Sequence, residues 1–301
     1  MISFKAYSSA AYSVALPPEH KFPMYKYAGV RDALALEGLP ILEPPRPTWA
    51  QVERVHDDAY LRALRFGTLE PKAVRLLGFP WSPELVERAL RASGGTLEAA
   101  NDALERGLGI NLAGGTHHAY PDHGEGFCVL NDVAIAIREL QATRGLERVF
   151  VLDLDVHQGN GTAAIFGDDP RVFTLSVHGE RNYPFHKERG TLDIGLGDGV
   201  TDSEYLGLLE TQVFPALRAF EPQLVFYLAG VDVLARDLFG RFALSLEGAM
   251  ARDRRMFEVC CEAGFPVVSL MSGGYNKTRA VTVEAHVNTV RTALEVFGSN
   301  G

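Results

Sequence analysis

The chain has 301 residues, 47% hydrophobic and 22% charged, a balance that describes a folded globule rather than a disordered polymer. Its 29 basic and 38 acidic residues leave a formal charge of −9, the wrong sign for gripping a phosphate backbone, so direct nucleic-acid binding is not expected. Three cysteines without a CxxC pair suggest neither a disulfide framework nor a thiolate zinc site, and the start MISFKAYSSAAYSV has no apolar core, so reduced thiols in a cytoplasmic protein without a membrane span are expected.

A single domain over residues 1–301 is the expectation from length. The Pro-rich stretch LPILEPPRPTW, Leu39 to Trp49, reads as an ordered connection inside that domain as readily as a boundary. The spacing then predicts a helix from SPELVERALRASGGTLEAANDALERG. Ser82 caps it, Pro83 takes its first position, and Leu85, Ala89, Leu97, Ala100 and Leu104 share a face, with Gly94 and Gly95 as a candidate break. After it, short apolar runs alternate with helical patterns. The apolar runs are GINLAG (109–114), RVFVLDLD (148–155), RVFTLSVH (171–178), QLVFYLAG (223–230) and FPVVSLMSGG (265–274). The helical ones are CVLNDVAIAIRELQAT, SEYLGLLETQVFPALRAF, LEGAMARDRRMFEVCCEAG and TVEAHVNTVRTALEVF. This alternation predicts a three-layer αβα fold around a central, mainly parallel sheet, which binds ligands beyond the carboxyl ends of its strands.

Four of the apolar runs finish in residues that a hydrolytic metal site uses. His117 and His118 follow the first, Asp153, Asp155 and His157 the second, Asp232 the fourth and Tyr275 the fifth. Residues two apart on a strand share a face, so Asp153, Asp155 and His157 can converge. Asp155 and His157 joined by Asp232 would form three ligands with an open fourth position, the catalytic form of a zinc site. A DxH alone more often ends a strand in hydrogen-bonded polar groups; the shared address of the other residues reverses that weighting. Beside a metal-activated water, one of His117 and His118 takes a proton while the other stabilises charge or protonates the leaving amine, and the order between them stays open. Tyr275, on a glycine-rich loop, can donate a hydrogen bond to a developing oxyanion.

In their order, GGTHHAYPDHGEGFCVLNDVAIAI, DLDVHQGNG, LAGVDVLARDLFG and SGGYN resemble the histone deacetylase family within the arginase–deacetylase fold. The likeness runs from about VHDDAYL, Val55 to Leu61, to near the C-terminus, and HQGNG, SGGY and FPMYKY are most similar to the class IV branch and its bacterial relatives. The resemblance implies zinc-dependent removal of acetyl or longer acyl groups from lysine side chains of proteins. Deacetylation of small amines such as acetylpolyamines is the alternative, and iron could replace zinc in the cell. It implies Asp155, His157 and Asp232 as zinc ligands, and His117 and His118 as the catalytic pair. Asp153 would orient His117, Asn160 would partner His118, and Tyr275 would be the oxyanion donor. The acyl-lysine tunnel would be formed by Phe127, Tyr183, Gly126 and Gly274, with Phe239 at its rim. A structural potassium ion would lie by Asp153, Asp155, His157, Ser176 and Val177.

The chain also departs from the family pattern. Asn160 stands where class I enzymes carry Asp, and a neutral partner raises the basicity of His118 less. Pro80 and Trp81 stand where a substrate-gripping aspartate is expected, Ser272 replaces a glycine of the usual GGGY, and Phe239 is bulkier than the common rim residue. A dimanganese ureohydrolase would need further carboxylates, which QGNG after His157 does not supply, so one metal is expected. The reading from a different class is a catalytically silent module that recognises acyl-lysine.

Overall fold

A computed structural model describes residues 4–299. Eight strands form one sheet, paired parallel throughout: β1 (Ala6–Tyr7), β2 (Ile41–Leu42), β3 (Leu108–Asn111), β4 (Val149–Asp153), β5 (Val172–Gly179), β6 (Leu192–Leu196), β7 (Leu224–Leu228) and β8 (Val267–Leu270). Their spatial order is β2-β1-β3-β8-β7-β4-β5-β6. From β4 the chain steps outward through β5 and β6, then returns to the other side of β4 as β7 and continues to β8. The order therefore reverses between β4 and β7, the kind of switch point where a crevice opens beyond the strand ends. The strands carrying the histidine pair, the DxDxH run, Asp232 and Tyr275 are the neighbours β3, β8, β7 and β4.

The five predicted strands form the contiguous centre β3-β8-β7-β4-β5, and the strands missing from the sequence reading are the edges. β1 and β2 have two residues each, too few for a pattern, while β6 alternates between half-buried and exposed. Central strands are buried on both faces, as parallel strands between two helical layers must be. Phe150 and Leu152 of β4 enter one apolar core and Val149 and Val151 the other, so the alternation divides between two layers. Each such side chain contributes about 1.5–3 kcal/mol on burial.

The helix predicted from Ser82 spans Pro83–Arg106, with the Ser82 hydroxyl accepting from the Leu85 amide at 3.1 Å. Gly94 and Gly95 do not interrupt it. A Cβ on Gly94 would collide with the Pro45 carbonyl, and one on Gly95 would lie 2.7 Å from Asn111 Oδ1. Those glycines let the helix pack against both β3 and the Pro-rich stretch, which contains β2. The run SEYLGLLETQVFPALRAF is helical throughout but changes step: helix Asp202–Leu208 passes through a π-helical turn, Leu209–Val213, into Phe214–Phe220. Pro215 has no N–H to give to the preceding turn, which accounts for the local change of hydrogen-bonding step. No helix among the described residues is long and apolar enough to cross a membrane.

Candidate active site

The β4 ladder ends at Asp153, so Asp155 and His157 lie beyond the strand and the simple pleat argument for DxDxH does not hold. Carboxylates take over where the ladder stops. The Asp155 amide donates to Asp153 Oδ1 at 3.1 Å, the Val156 amide to Asp232 Oδ1 at 3.0 Å and the His157 amide to Asp155 Oδ1 at 2.9 Å. Each aspartate thus satisfies a buried N–H while bending the chain, as aspartate does in turns. This bend, rather than the pleat, brings Asp155 and His157 together.

Asp155, His157 and Asp232 are buried, and one ligand atom from each lies within 4.8 Å of the others. His157 Nδ1 stands 3.0 Å from Asp155 Oδ1 and 3.2 Å from Asp232 Oδ2. Burial and the neighbouring Asp155 charge push the Asp232 carboxyl up to about 7. Two carboxylates and an imidazole in a buried cluster are costly alone and fit a divalent cation such as zinc. Among the described residues this is the one such group of three, in keeping with a single metal. Asp155 Oδ2 is fixed from the other side by Ser272 Oγ at 2.8 Å and the Gly273 amide at 2.7 Å. A Cβ on Gly273 would run into Asp232, so the glycine is required by close approach.

His117 and His118 hang from a turn in which Gly114 and Gly115 have φ of +77° and +76°. That turn is pinned by Asp132, a fully buried residue at the start of helix Asp132–Arg144. Asp132 accepts from the Gly115 amide at 3.1 Å, the Thr116 amide at 2.7 Å and the hydroxyls of Thr116 and Thr96. His117 Nδ1 lies 2.6 Å from Asp153 Oδ2, and His118 Nδ1 lies 2.7 Å from Asn160 Oδ1. Burial works against protonation of both rings; beside Asp153 and Asp155 His117 is nevertheless held at about 9, while His118 falls well below its usual range.

Asn160 is backed by a carboxylate that the sequence reading did not single out. Its Nδ2 donates to Glu125 Oε1 at 2.6 Å, and Tyr183 donates to the same oxygen at 2.7 Å. Burial would raise Glu125, but donors from His123, Asn160 and Tyr183 outweigh it and lower the carboxyl. Asp237 is a second such residue. It accepts from the amides of Phe239, Gly240 and Tyr275 at 2.9, 3.0 and 2.7 Å, tying the rim to the tyrosine loop. Lys26 is a third: buried, it donates to the carbonyl of Ser272, a residue with φ of +56°, at 2.7 Å. Their common signal is a charged side chain within an apolar or glycine-rich stretch, weaker than the strand-end pattern.

The Tyr275 hydroxyl has no hydrogen-bond partner among the described residues, and burial holds it protonated far above its usual range. Its ring meets Phe239 edge-on at 5.0 Å. An outer cavity of about 480 Å³ is lined by Gly126, Phe127, Tyr183, Phe239 and Tyr275 and reaches His118 and His157. An inner cavity of about 80 Å³ continues past His117, His118 and Tyr275 toward Lys26 and Arg88. Gly274 lines neither, lying instead against Val231 and His286. Ser176 is the ladder partner of Asp153, with Val177 beside it on β5, next to a void of about 10 Å³ that Asp153 and Ser176 help line.

A buried acid–imidazole–acid set at the strand ends, faced by two oriented histidines and an unpartnered tyrosine hydroxyl, is the layout of a metal-dependent amidohydrolase. Residues 20–290 match the histone deacetylase domain family. The chain is 44% identical to an uncharacterized protein of Picosynechococcus sp., covering 95% of this chain and 97% of that one. It is 34% identical to histone deacetylase 2 of Arabidopsis thaliana over 91% and 75% of the two chains. It is also 34% identical to a histone deacetylase-like amidohydrolase of Pseudomonas aeruginosa over 74% and 63%. The solved structure of the HDA15 HD domain shares the fold at a TM-score of 0.77 and 23% identity, covering 98% of this chain and 94% of the other. The chain belongs to the histone deacetylase family.

Proposed function

We propose that the protein is a zinc-dependent deacylase that hydrolyses the side-chain amide of acylated lysine in proteins. The observation that carries this reading is the buried Asp155–His157–Asp232 set, whose His157 lines both cavities together with His118 and Tyr275 while Asp155 and His117 line the inner one. Zinc, held by those three side chains, would supply Lewis acidity to the amide carbonyl and to water. His118 acts as the base, because its Nδ1–H is anchored on Asn160 and leaves Nε2 free to accept a proton from water. His117, anchored on Asp153, supplies positive charge and then a proton to the leaving amine. Tyr275 donates to the oxyanion, and its lack of another partner keeps that donor available.

The outer cavity takes the lysine stem, and the acyl group points inward. The inner cavity of about 80 Å³ suits acetyl and short acyl groups, with room for roughly three groups the size of a water molecule. Asn160, Ser272 and the FPMYKY segment support a place in the class IV branch and its bacterial relatives. Ser176, Val177 and the carboxylate of Asp153 would lie beside a potassium ion.

The test is a panel of acyl-lysine peptides from acetyl to long-chain acyl, run with metal analysis on the same sample. Hydrolysis that is fastest for acetyl or short acyl, with about one metal per chain, is expected. A fully metal-loaded protein that cleaves none of the panel would instead be a silent acyl-lysine binding module.

A further inference from the structure

The outer cavity reverses the charge of the molecule around it. The chain carries a formal charge of −9, yet the titratable groups lining this cavity are His118, His157, Tyr183, Tyr275 and three arginines, with no carboxylate. Arg75 comes from helix Pro71–Leu77, Arg181 from the segment after β5 and Arg241 from the segment after β7, so separate parts of the chain bring cations to one opening. All three are exposed. Arg241 has Asp198 at 3.3 Å, whereas Arg75 and Arg181 have no ion-pair partner among the described residues. Exposed apolar side chains, Phe185 at 82% and Leu76 at 42%, line the same opening. A guanidinium with its donors free at an apolar rim offers the fork that a carboxylate fits.

We propose that this mouth selects acylated lysine accompanied by a carboxylate close to the scissile amide, and disfavours acylated polycations. The inference rests on the deacylase reading above and narrows its substrate class. A like-charged rim concentrates anions at the opening and repels cations, with effects on encounter that fade as salt rises. The carboxylate can belong to an aspartate or glutamate beside acyl-lysine in a peptide, or be the α-carboxylate of free acyl-lysine. Acetylpolyamines carry the opposite charge, so the mouth opposes them.

The test uses acetyl-lysine peptides flanked by Asp/Glu, by Ala or by Lys/Arg, with free Nε-acetyl-lysine, its C-terminal amide and an acetylated polyamine as further arms. At low ionic strength kcat/KM is expected to favour acidic over basic flanks by about tenfold or more, and the ratio to shrink in high salt. Free acetyl-lysine exceeding its amide would identify the small-molecule source; acidic peptides exceeding both would identify the peptide source. In the Arg75→Gln/Arg181→Gln double variant the acidic-to-basic ratio should fall to within about twofold of unity. The melting temperature should hold, since both side chains are exposed and unpaired. A ratio at or below one in the native chain, or one unchanged in the variant, would overturn the proposal. Anisotropy of dye-labelled peptides on the metal-loaded Tyr275→Phe protein reads binding with little turnover. Acidic preference in binding without cleavage would sink the deacylase reading and leave the mouth standing; cleavage indifferent to charge would do the reverse. Neither binding nor cleavage would sink both.

Discussion

Asn160 is neutral, but its amide joins His118 to the Glu125 carboxylate, so negative charge is placed one side chain further from the ring than an aspartate would put it. Restoring an aspartate should therefore harm the site. Asn160→Asp removes the donor to Glu125 and sets two carboxylates at contact, raising one of their pKa values and disturbing His118. Its kcat/KM on an acetyl-lysine peptide is expected to fall by about tenfold or more, and Glu125→Gln in the same chain to recover part of the loss. A single variant as active as the parent would show that Glu125 does not govern this histidine. Tyr275→Phe leaves the Asp155–His157–Asp232 group in place and removes only a hydroxyl without a partner among the described residues. Turnover should drop by about 100-fold or more with the metal content unchanged. Equal turnover would remove the oxyanion role.

At the scale of elements, the helix Asp132–Arg144 does more than cover the sheet. Asp132 at its start bonds the turn that carries both histidines, so Asp132→Ala should strand several buried donors and cost about 3 kcal/mol or more in denaturant unfolding. A cost under about 1 kcal/mol would mean that the turn holds itself. The central strands and all three members of the Asp155–His157–Asp232 group were legible because β-branched and aromatic runs ending in Asp or His stand out from their surroundings. β6 was not, since LDIGL alternates Asp and Gly with its apolar residues at the sheet edge. Gly94 and Gly95 resembled a break because their reason is tertiary: the contact with Pro45 and Asn111 exists only after the chain has folded. Glu125 and Lys26 were hidden for the same reason, their partners Asn160, Tyr183 and Ser272 being remote in sequence, and Asp237 because its link to the Tyr275 amide is tertiary while its other two bonds form an ordinary local turn.

At the scale of the molecule, stability should follow both acid and metal. Buried His56 accepts from the Asn131 amide at Nε2, 3.0 Å, and donates from Nδ1 to the Tyr120 carbonyl at 2.9 Å. Burial lowers it from 6.5 to about 4, so the unfolded chain binds the proton first. Its stabilising effect is complete above about pH 6.5 and is lost as pH falls toward 4, a decline of about 3 kcal/mol. Urea unfolding at pH 7 and pH 4 should show a smaller decline in His56→Gln, even though that variant starts less stable; an equal decline would remove His56 from the acid response. Metal acts in the other direction. Chelation should lower the melting temperature and zinc restore it, whereas Asp232→Asn should lose most of that response. An identical response in both proteins would place the stabilising ion elsewhere. The contacts that complete the cage also set an order of events during folding. Asp155 is clamped by Ser272 and Gly273 across separations of 117 and 118 residues, and Lys26 reaches Ser272 across 246. Such long-range closures come at high entropic cost and slow the search for the native state. A nascent chain released just past Asp232, beyond the end of β7, already displays Asp155, His157 and Asp232, but without the clamp from Ser272 and Gly273. Binding of a metal by this group is therefore expected to lag behind the growth of secondary structure, so that its time course would read the last stage of folding.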